Sequence, residues 1–158
     1  MTQTNGQAPV GIAMARVAHA HAPGKLRAVL DCPQAELRGV WEPDGGILRE
    51  CQGRLATCEP PVYASLDALL ADPSVEAVIV DGPVAGNVAL AAAALEAGKH
   101  VLQEKPAGLK PGDLPHLQSL ARQRGLLLQI GYQFRYTPAM AKLRELVGAG
   151  VVARSSSA

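Results

Sequence analysis

The sequence predicts an α/β fold, a Rossmann-type doubly wound parallel sheet, and three observations predict it. Short apolar runs alternate with helically spaced ones along the chain. One of those runs, Ala77 to Val80, is apolar at every position, as a strand covered on both faces must be. Another, Val101-Leu102, leads into the charged pair Glu104-Lys105 and then Pro106. Charges at such a strand end face a crevice, because burying either without a partner costs several kcal/mol (about). In open α/β sheets that end is where ligands bind. The chain has 158 residues, enough for one ordinary domain but short of the ~250 of a TIM barrel.

Val10 to Met14 reads as the first strand. Lys25 to Leu30 has apolar residues at 26, 29 and 30, a helical spacing. Leu37 to Trp41 is a second strand, stopped by Pro43-Asp44-Gly45-Gly46. Ile47, Leu48, Cys51 and Leu55 mark the next helical face, and Val62-Tyr63 a short third strand. Ser65 is placed as an N-cap, with Asp67 in the first turn, and Asp72-Pro73-Ser74 ends that helix. Ala77 to Val80 is then the fourth strand. Asn87 to Ala97 is an alanine-rich helix that can lie close to the sheet, and Gly98 closes it. His100 to Gln103 is the next strand. Pro111 opens a helix with Leu114, Leu117 and Leu120 on one side, and Gly125 ends it. Leu126 to Ile130 is a strand, and Pro138 to Val147 a helix with Met140, Leu143 and Val147 on one face. Val151 to Ala153 reads as the start of one more strand.

Composition narrows the function. The chain is 48% apolar but only 3% aromatic, so its core must be built from Ala, Val, Leu and Ile. Fifteen basic residues oppose 14 acidic ones, a formal charge of +1, which gives no reason to expect nucleic acid or a membrane surface as partner. The longest unbroken apolar stretch, Val88 to Leu95, falls well short of the ~20 residues of a membrane span. The polar N-terminus lacks the pattern of a signal peptide, so a cytoplasmic location is expected. Cys32, Cys51 and Cys58 form no C-x-x-C pair and read as reduced thiols. His19 and His21 are two apart and would point away from each other in an extended segment, so no metal site is expected.

A dinucleotide site of this fold starts at the first strand-to-helix turn, where glycines let the backbone approach a pyrophosphate. Here only Gly11 is present, within the strand, and Met14, Arg16 and His19 stand where glycines are expected. Either Arg16 or a histidine meets phosphate instead, or the turn has lost nucleotide affinity. Gly11, Ala13 and Met14 are the candidate contacts from this strand. Glu42 ends the second strand, where an acid accepts hydrogen bonds from ribose hydroxyls and repels a 2′-phosphate, favouring NAD over NADP. The other reading is a solvated loop carboxylate. Asp81 and Pro83 shape the turn after the fourth strand. Asn87 is a candidate helix cap and a candidate contact to the nicotinamide half. Glu104 and Lys105 complete the set.

Several segments, in order and at proper spacing, resemble the N-terminal half of the Gfo/Idh/MocA oxidoreductase family. These are Tyr63-Ala64-Ser65-Leu66-Asp67-Ala68-Leu69-Leu70 with Val75 to Val80, and Ala94-Leu95-Glu96-Ala97-Gly98-Lys99-His100-Val101-Leu102 leading into Glu104-Lys105-Pro106. Gly131-Tyr132-Gln133-Phe134-Arg135-Tyr136-Thr137-Pro138-Ala139 is the third. The resemblance implies a Rossmann NAD(P)-binding domain over residues 7–133. It also implies that 134–158 are the linking helix and first strand of a truncated C-terminal substrate domain. It implies hydride transfer between nicotinamide and a sugar, cyclitol or related polyol, with Lys105 catalytic and Glu104 anchoring its loop. Arg135 and Tyr136 would reach substrate, and the Lys105-Pro106 bond would be cis. Alternatives are a non-catalytic binding or sensing protein and an NAD-dependent lyase or glycosidase relative. The full-length protein is expected to be a homo-oligomer, and the 158 residues alone to be inactive. Two further departures stand out: Asn87 where the family usually has histidine, and no second domain past its first strand.

Overall fold

A computed structural model of the chain describes residues 8–55 and 59–151. Five strands make one sheet: β1 (Val10–Ala15), β2 (Ala35–Trp41), β3 (Ala77–Val80), β4 (His100–Gln103) and β5 (Leu128–Ile130). All neighbouring pairs are parallel, in the order β2-β1-β3-β4-β5. Six helices connect them: α1 (Ala22–Leu30), α2 (Gly45–Leu55), α3 (Leu66–Ala71), α4 (Val84–Glu96), α5 (Asp113–Arg124) and α6 (Pro138–Gly148). A 3-10 turn, Gln133–Tyr136, links β5 to α6.

Strand alternation sorts the core into two layers. Ala13, Ala15, Val78, Val80 and Val101 face one side and pack with Leu69 of α3, Ala91, Ala94 and Leu95 of α4, and Leu117 and Ala121 of α5. Met14, Val40 and Ile79 face the other and pack with Ala22, Leu26 and Val29 of α1 and Cys51 of α2. The small alanines of α4 let it approach the sheet. Leu95 and Leu117 are fully buried, and truncating either to alanine should cost about 2–5 kcal/mol.

Two sequence expectations change. Val62-Tyr63 is not a strand: Val62 makes one isolated parallel bridge to Val40. Pro60 and Pro61 precede it and have no N–H to extend a ladder. The alanine-rich helix starts at Val84 with Pro83 as its N-cap residue, so Asn87 lies inside it and is not its cap. The expected last helix is present as α6, and none of its residues, Met140 and Leu143 included, is buried. The expected strand from Val151 lies outside the described residues beyond Val151 itself, which is a bend. Residue 7 and Cys58 also lie outside them, and the proposed boundary at 134 falls within the 3-10 turn.

Among the described residues no helix is long and apolar enough to cross a membrane.

Candidate functional site

The strand order reverses at β1, whose two neighbours run to opposite edges of the sheet. Such a switch point opens a crevice at the carboxyl ends of β1 and β3. The turn after β1 carries Arg16 with a φ of 68°, the only non-glycine residue with positive φ among those described. A glycine would adopt this conformation freely; an arginine there pays roughly 1–2 kcal/mol. The turn therefore keeps a glycine-like backbone path although the glycine is gone. Its ends are fixed by the Arg16 N–H donating to Trp41 O at 2.7 Å and the Ala18 N–H to Asp81 O at 3.1 Å.

Arg16 and Glu42 close one side of the crevice. Arg16 Nε lies 2.9 Å from Glu42 Oε1. The Val17 N–H donates to Glu42 Oε2 at 2.9 Å, and the Asp44 N–H to Oε1 at 3.1 Å. The Glu42 side chain is 0% exposed. With its side chain buried and its oxygens taken by Arg16, Val17 and Asp44, Glu42 is not a solvated loop acid.

The other side is a charged cluster. Lys25, on the first turn of α1, donates to Asp81 Oδ2 at 3.0 Å and pairs with Glu104 Oε2. Asp81 is fully buried and Glu104 nearly so. Burial pushes the Asp81 carboxyl up from its ordinary value, against the hydrogen bond and charge of Lys25. For Glu104, burial is the largest single influence and raises it. Lys25, with help from His19 and Lys105, outweighs that and holds it below its ordinary value. Lys105 Nζ stands 3.6 Å from Glu104 Oε1, and its side chain is 42% exposed. The Lys105-Pro106 bond is cis. Gln103, also fully buried, donates from Nε2 to Pro106 O at 3.1 Å and braces this loop.

Asn87 reaches back from α4 and accepts the Gly82 N–H at 2.9 Å. Its Nδ2 is buried without a partner, as is Asp81 Oδ1. Gly82 is needed for this fit: a Cβ there would come within 2.9 Å of Asn87 Oδ1 and 3.0 Å of Arg16 Cγ.

The structure thus brings Glu42, Asp81, Pro83, Asn87, Glu104 and Lys105 to the carboxyl edge. It does not bring the first-strand candidates there. Gly11 sits at the other end of β1, where a Cβ would lie 1.9 Å from Ser74 O. Packing explains it. Ala13 and Met14 are fully buried on opposite faces of the sheet. Arg135 and Tyr136 are exposed on the 3-10 turn, where the Tyr136 hydroxyl accepts from Gln129 Nε2 at 2.9 Å. Sequence reasoning missed Lys25. A cation in the first turn of a helix opposes the dipole, and that is a signal that it has a carboxylate partner. It also read His19 and His21 as diverging, whereas they sit on a tight turn with ring centroids 4.7 Å apart.

The groups present fit a dinucleotide unevenly. The orphaned Asn87 amide and the Lys105 ammonium suit the reactive end and the glycine-like turn suits the pyrophosphate, while the Glu42 carboxylate is covered by donors of the chain itself. Such a sheet, switch-point crevice and lysine define a Rossmann-type dinucleotide-binding domain. The profile of the family described as "Oxidoreductase family, NAD-binding Rossmann fold" matches residues 10–132. The chain belongs to this family, the Gfo/Idh/MocA oxidoreductases, and is an NAD-binding domain of it.

Similar proteins include the dTDP-3,4-didehydro-2,6-dideoxy-alpha-D-glucose 3-reductase of Streptomyces violaceoruber, 44% identical over 54% of this chain and 25% of the relative. The UDP-N-acetylglucosamine 3-dehydrogenase of Acidithiobacillus ferrooxidans is 34% identical over 77% of this chain and 37% of the relative. Among solved structures, GenD2 from gentamicin A biosynthesis in complex with NAD superposes with a TM-score of 0.80 at 28% identity, covering 92% of this chain and 41% of that one. The chain thus spans well under half the length of these proteins.

Proposed function

We propose that this chain is the cofactor-binding part of an NAD(P)-dependent oxidoreductase acting on a sugar, cyclitol or related polyol. Lys105 is the proton donor and acceptor at the substrate oxygen. One observation carries the reading: the Lys105 amine is tethered at the crevice by the buried Glu104 carboxylate, 3.6 Å away, directly after β4. The sugar reductase and dehydrogenase relatives support the substrate class.

The bound nicotinamide would supply the hydride. The chain's own groups do the rest. Asn87 Nδ2 and the Gly82 turn would hold the reactive end. Lys25 bridges Asp81 and Glu104 and, with Lys105, offsets their charge, so that two buried carboxylates can share one wall. Lys105 donates a proton to, or withdraws it from, the reacting hydroxyl and stabilises the developing alkoxide.

In the protein that carries this domain, Lys105→Ala should lower kcat by about 10²–10⁴, the usual worth of a positioned acid or base. Cofactor affinity, read by titration calorimetry, should change little. Turnover that survives the substitution would remove Lys105 from the chemistry. We expect no NADH formation from polyols by the 158 residues alone.

A second reading, a non-catalytic binder, is favoured by the Glu42 carboxylate that already takes the Val17 N–H. Under it, Lys105→Ala would leave the protein's only measurable property, ligand affinity, intact and no turnover would be found in the parent.

A further inference from the structure

We propose that His19, His21 and Glu104 form a binding site for a divalent transition-metal ion of the zinc class. One ligand atom from each of the three lies within 4.8 Å of the other two. Ligands around a tetrahedral ion with bonds of about 2.0–2.2 Å stand roughly 3.4 Å apart. His21 is exposed, so its side chain has room to adjust toward the closer spacing. Two imidazoles and one carboxylate make a borderline donor set with a fourth position left open, the pattern of hydrolytic zinc sites.

A second, independent observation points to an occupant. Glu104 is 2% exposed, yet its Oε1 has no hydrogen-bond partner. The ion-pair partner of this oxygen, the Lys105 ammonium, stands 3.6 Å away, beyond hydrogen-bond distance, so an ion bound directly would satisfy the oxygen better. The turn is already shaped for it. His19 Nδ1 accepts a long bond, 3.3 Å, from the His21 N–H, and this bond folds the two rings together. A neutral imidazole carries one proton, so ligation through either His19 nitrogen gives up that bond, and its length makes the loss small.

Charge sets the competition. Lys25 and Lys105 both face Glu104, and Asp81 shares Lys25. Two ammonium groups against two carboxylates leave the wall near neutral before an ion enters. The ion takes Oε1 in competition with Lys105, while Lys25 keeps Oε2.

The test uses the purified chain with no dinucleotide present, so it stands or falls apart from the redox reading. Equilibrium dialysis against Zn²⁺ should give one ion per chain, and Co²⁺ should give the visible absorption of a tetrahedral site without a thiolate band. His19→Ala and His21→Ala should each weaken Zn²⁺ binding by more than about tenfold, since loss of even an outer-shell partner costs 10–100-fold. His116→Ala, on the exposed side of α5, should leave binding unchanged. Circular dichroism of each variant checks the fold. No stoichiometric binding, or binding unchanged in both histidine variants, overturns the site.

Discussion

Arg16 is the residue at which this domain departs most from a phosphate-binding turn. Its φ of 68° shows that the backbone still follows a path made for glycine. Its side chain, over Gly82 and 6.0 Å from the centre of the Trp41 ring, pairs with Glu42. The Glu42 carboxylate takes the Val17 N–H, a backbone donor of the kind that binds anions at such a turn. An incoming dinucleotide has to displace this internal anion or bind around it. Arg16→Gly removes the strain, opens the turn and uncouples Glu42 from its cation. It should therefore tighten NAD binding by about tenfold, or 1.4 kcal/mol, in a calorimetric titration. Arg16→Ala removes the same guanidinium and should shift the affinity in the same direction, while its thermal midpoint stays below that of Arg16→Gly because alanine keeps part of the cost of positive φ. Weaker binding by Arg16→Gly would mean that the guanidinium itself meets the phosphate.

At the scale of elements, the α3–β3 connection is held by a set of polar contacts. Tyr63 donates to Asp72 Oδ2 at 2.7 Å, and the Ser74 N–H and hydroxyl donate to Oδ1 at 2.8 and 2.7 Å. Lys99 reaches across from the start of β4 to Asp72 O and Val75 O, both at 2.8 Å. The Tyr63 hydrogen bond, then those of Ser74, pull the Asp72 carboxyl down from 3.8 to about 2. A depressed folded-state value stabilises the fold above the unfolded value and loses that contribution as pH falls. The window here runs from about 3.8 down to about 2. Burial, then Asp72, push the Tyr63 phenol up to about 12, so its contribution fades as pH rises from 10.0 to about 12. Asp72→Asn should have a lower urea midpoint than the parent at pH 6. It should also show a smaller further fall between pH 4 and pH 2. Equal acid slopes for the two proteins would count against this assignment.

The same elements show what the sequence could and could not carry. Strands β1 and β3 were legible because burial on both faces forces unbroken apolar runs, and Gly125 marked the end of α5 by its need for a φ of 65°. Ser65 was legible as a cap because capping is local, and its hydroxyl accepts the Ala68 N–H at 3.0 Å. Val62-Tyr63 misled because β-propensity says nothing of the donors that Pro60 and Pro61 lack. The site divided in the same way. Glu104 and Lys105 announced themselves by charge at a strand end. The Lys25 bridge joins positions 56 and 79 residues apart, and no local pattern encodes that pairing. Gly11 looked like a cofactor glycine because its real constraint, the Ser74 carbonyl, is distant in sequence.

The whole molecule has an unbalanced surface. Helices α3, α4 and α5 cover one face of the sheet, but α1 and α2 cover the other only beside β2 and β1. Between α1 and the exposed flank of β3 and β4 lies a hollow of about 300 Å³, lined by Ile12, Val29, Ile79 and Leu102 among others. A second apolar region sits on the 3-10 turn and α6. Tyr132, Phe134 and Tyr136, three of the chain's five aromatic residues, are each more than half exposed there, and Met140 and Leu143 are 38% and 43% exposed. Exposed apolar side chains gathered on one turn and helix favour association, at about 25 cal/mol per Å² removed from water. The purified chain should therefore enhance ANS fluorescence in its folded state and should self-associate with rising concentration in sedimentation velocity. Leu143→Arg places a charge in the middle of the α6 face without touching the core, because α6 buries no residue. It should leave the thermal midpoint nearly unchanged while weakening self-association by about tenfold, or 1.4 kcal/mol. A chain that stays monomeric at all concentrations, or a variant that associates as readily as the parent, would show that the α6 face does not drive contact between copies.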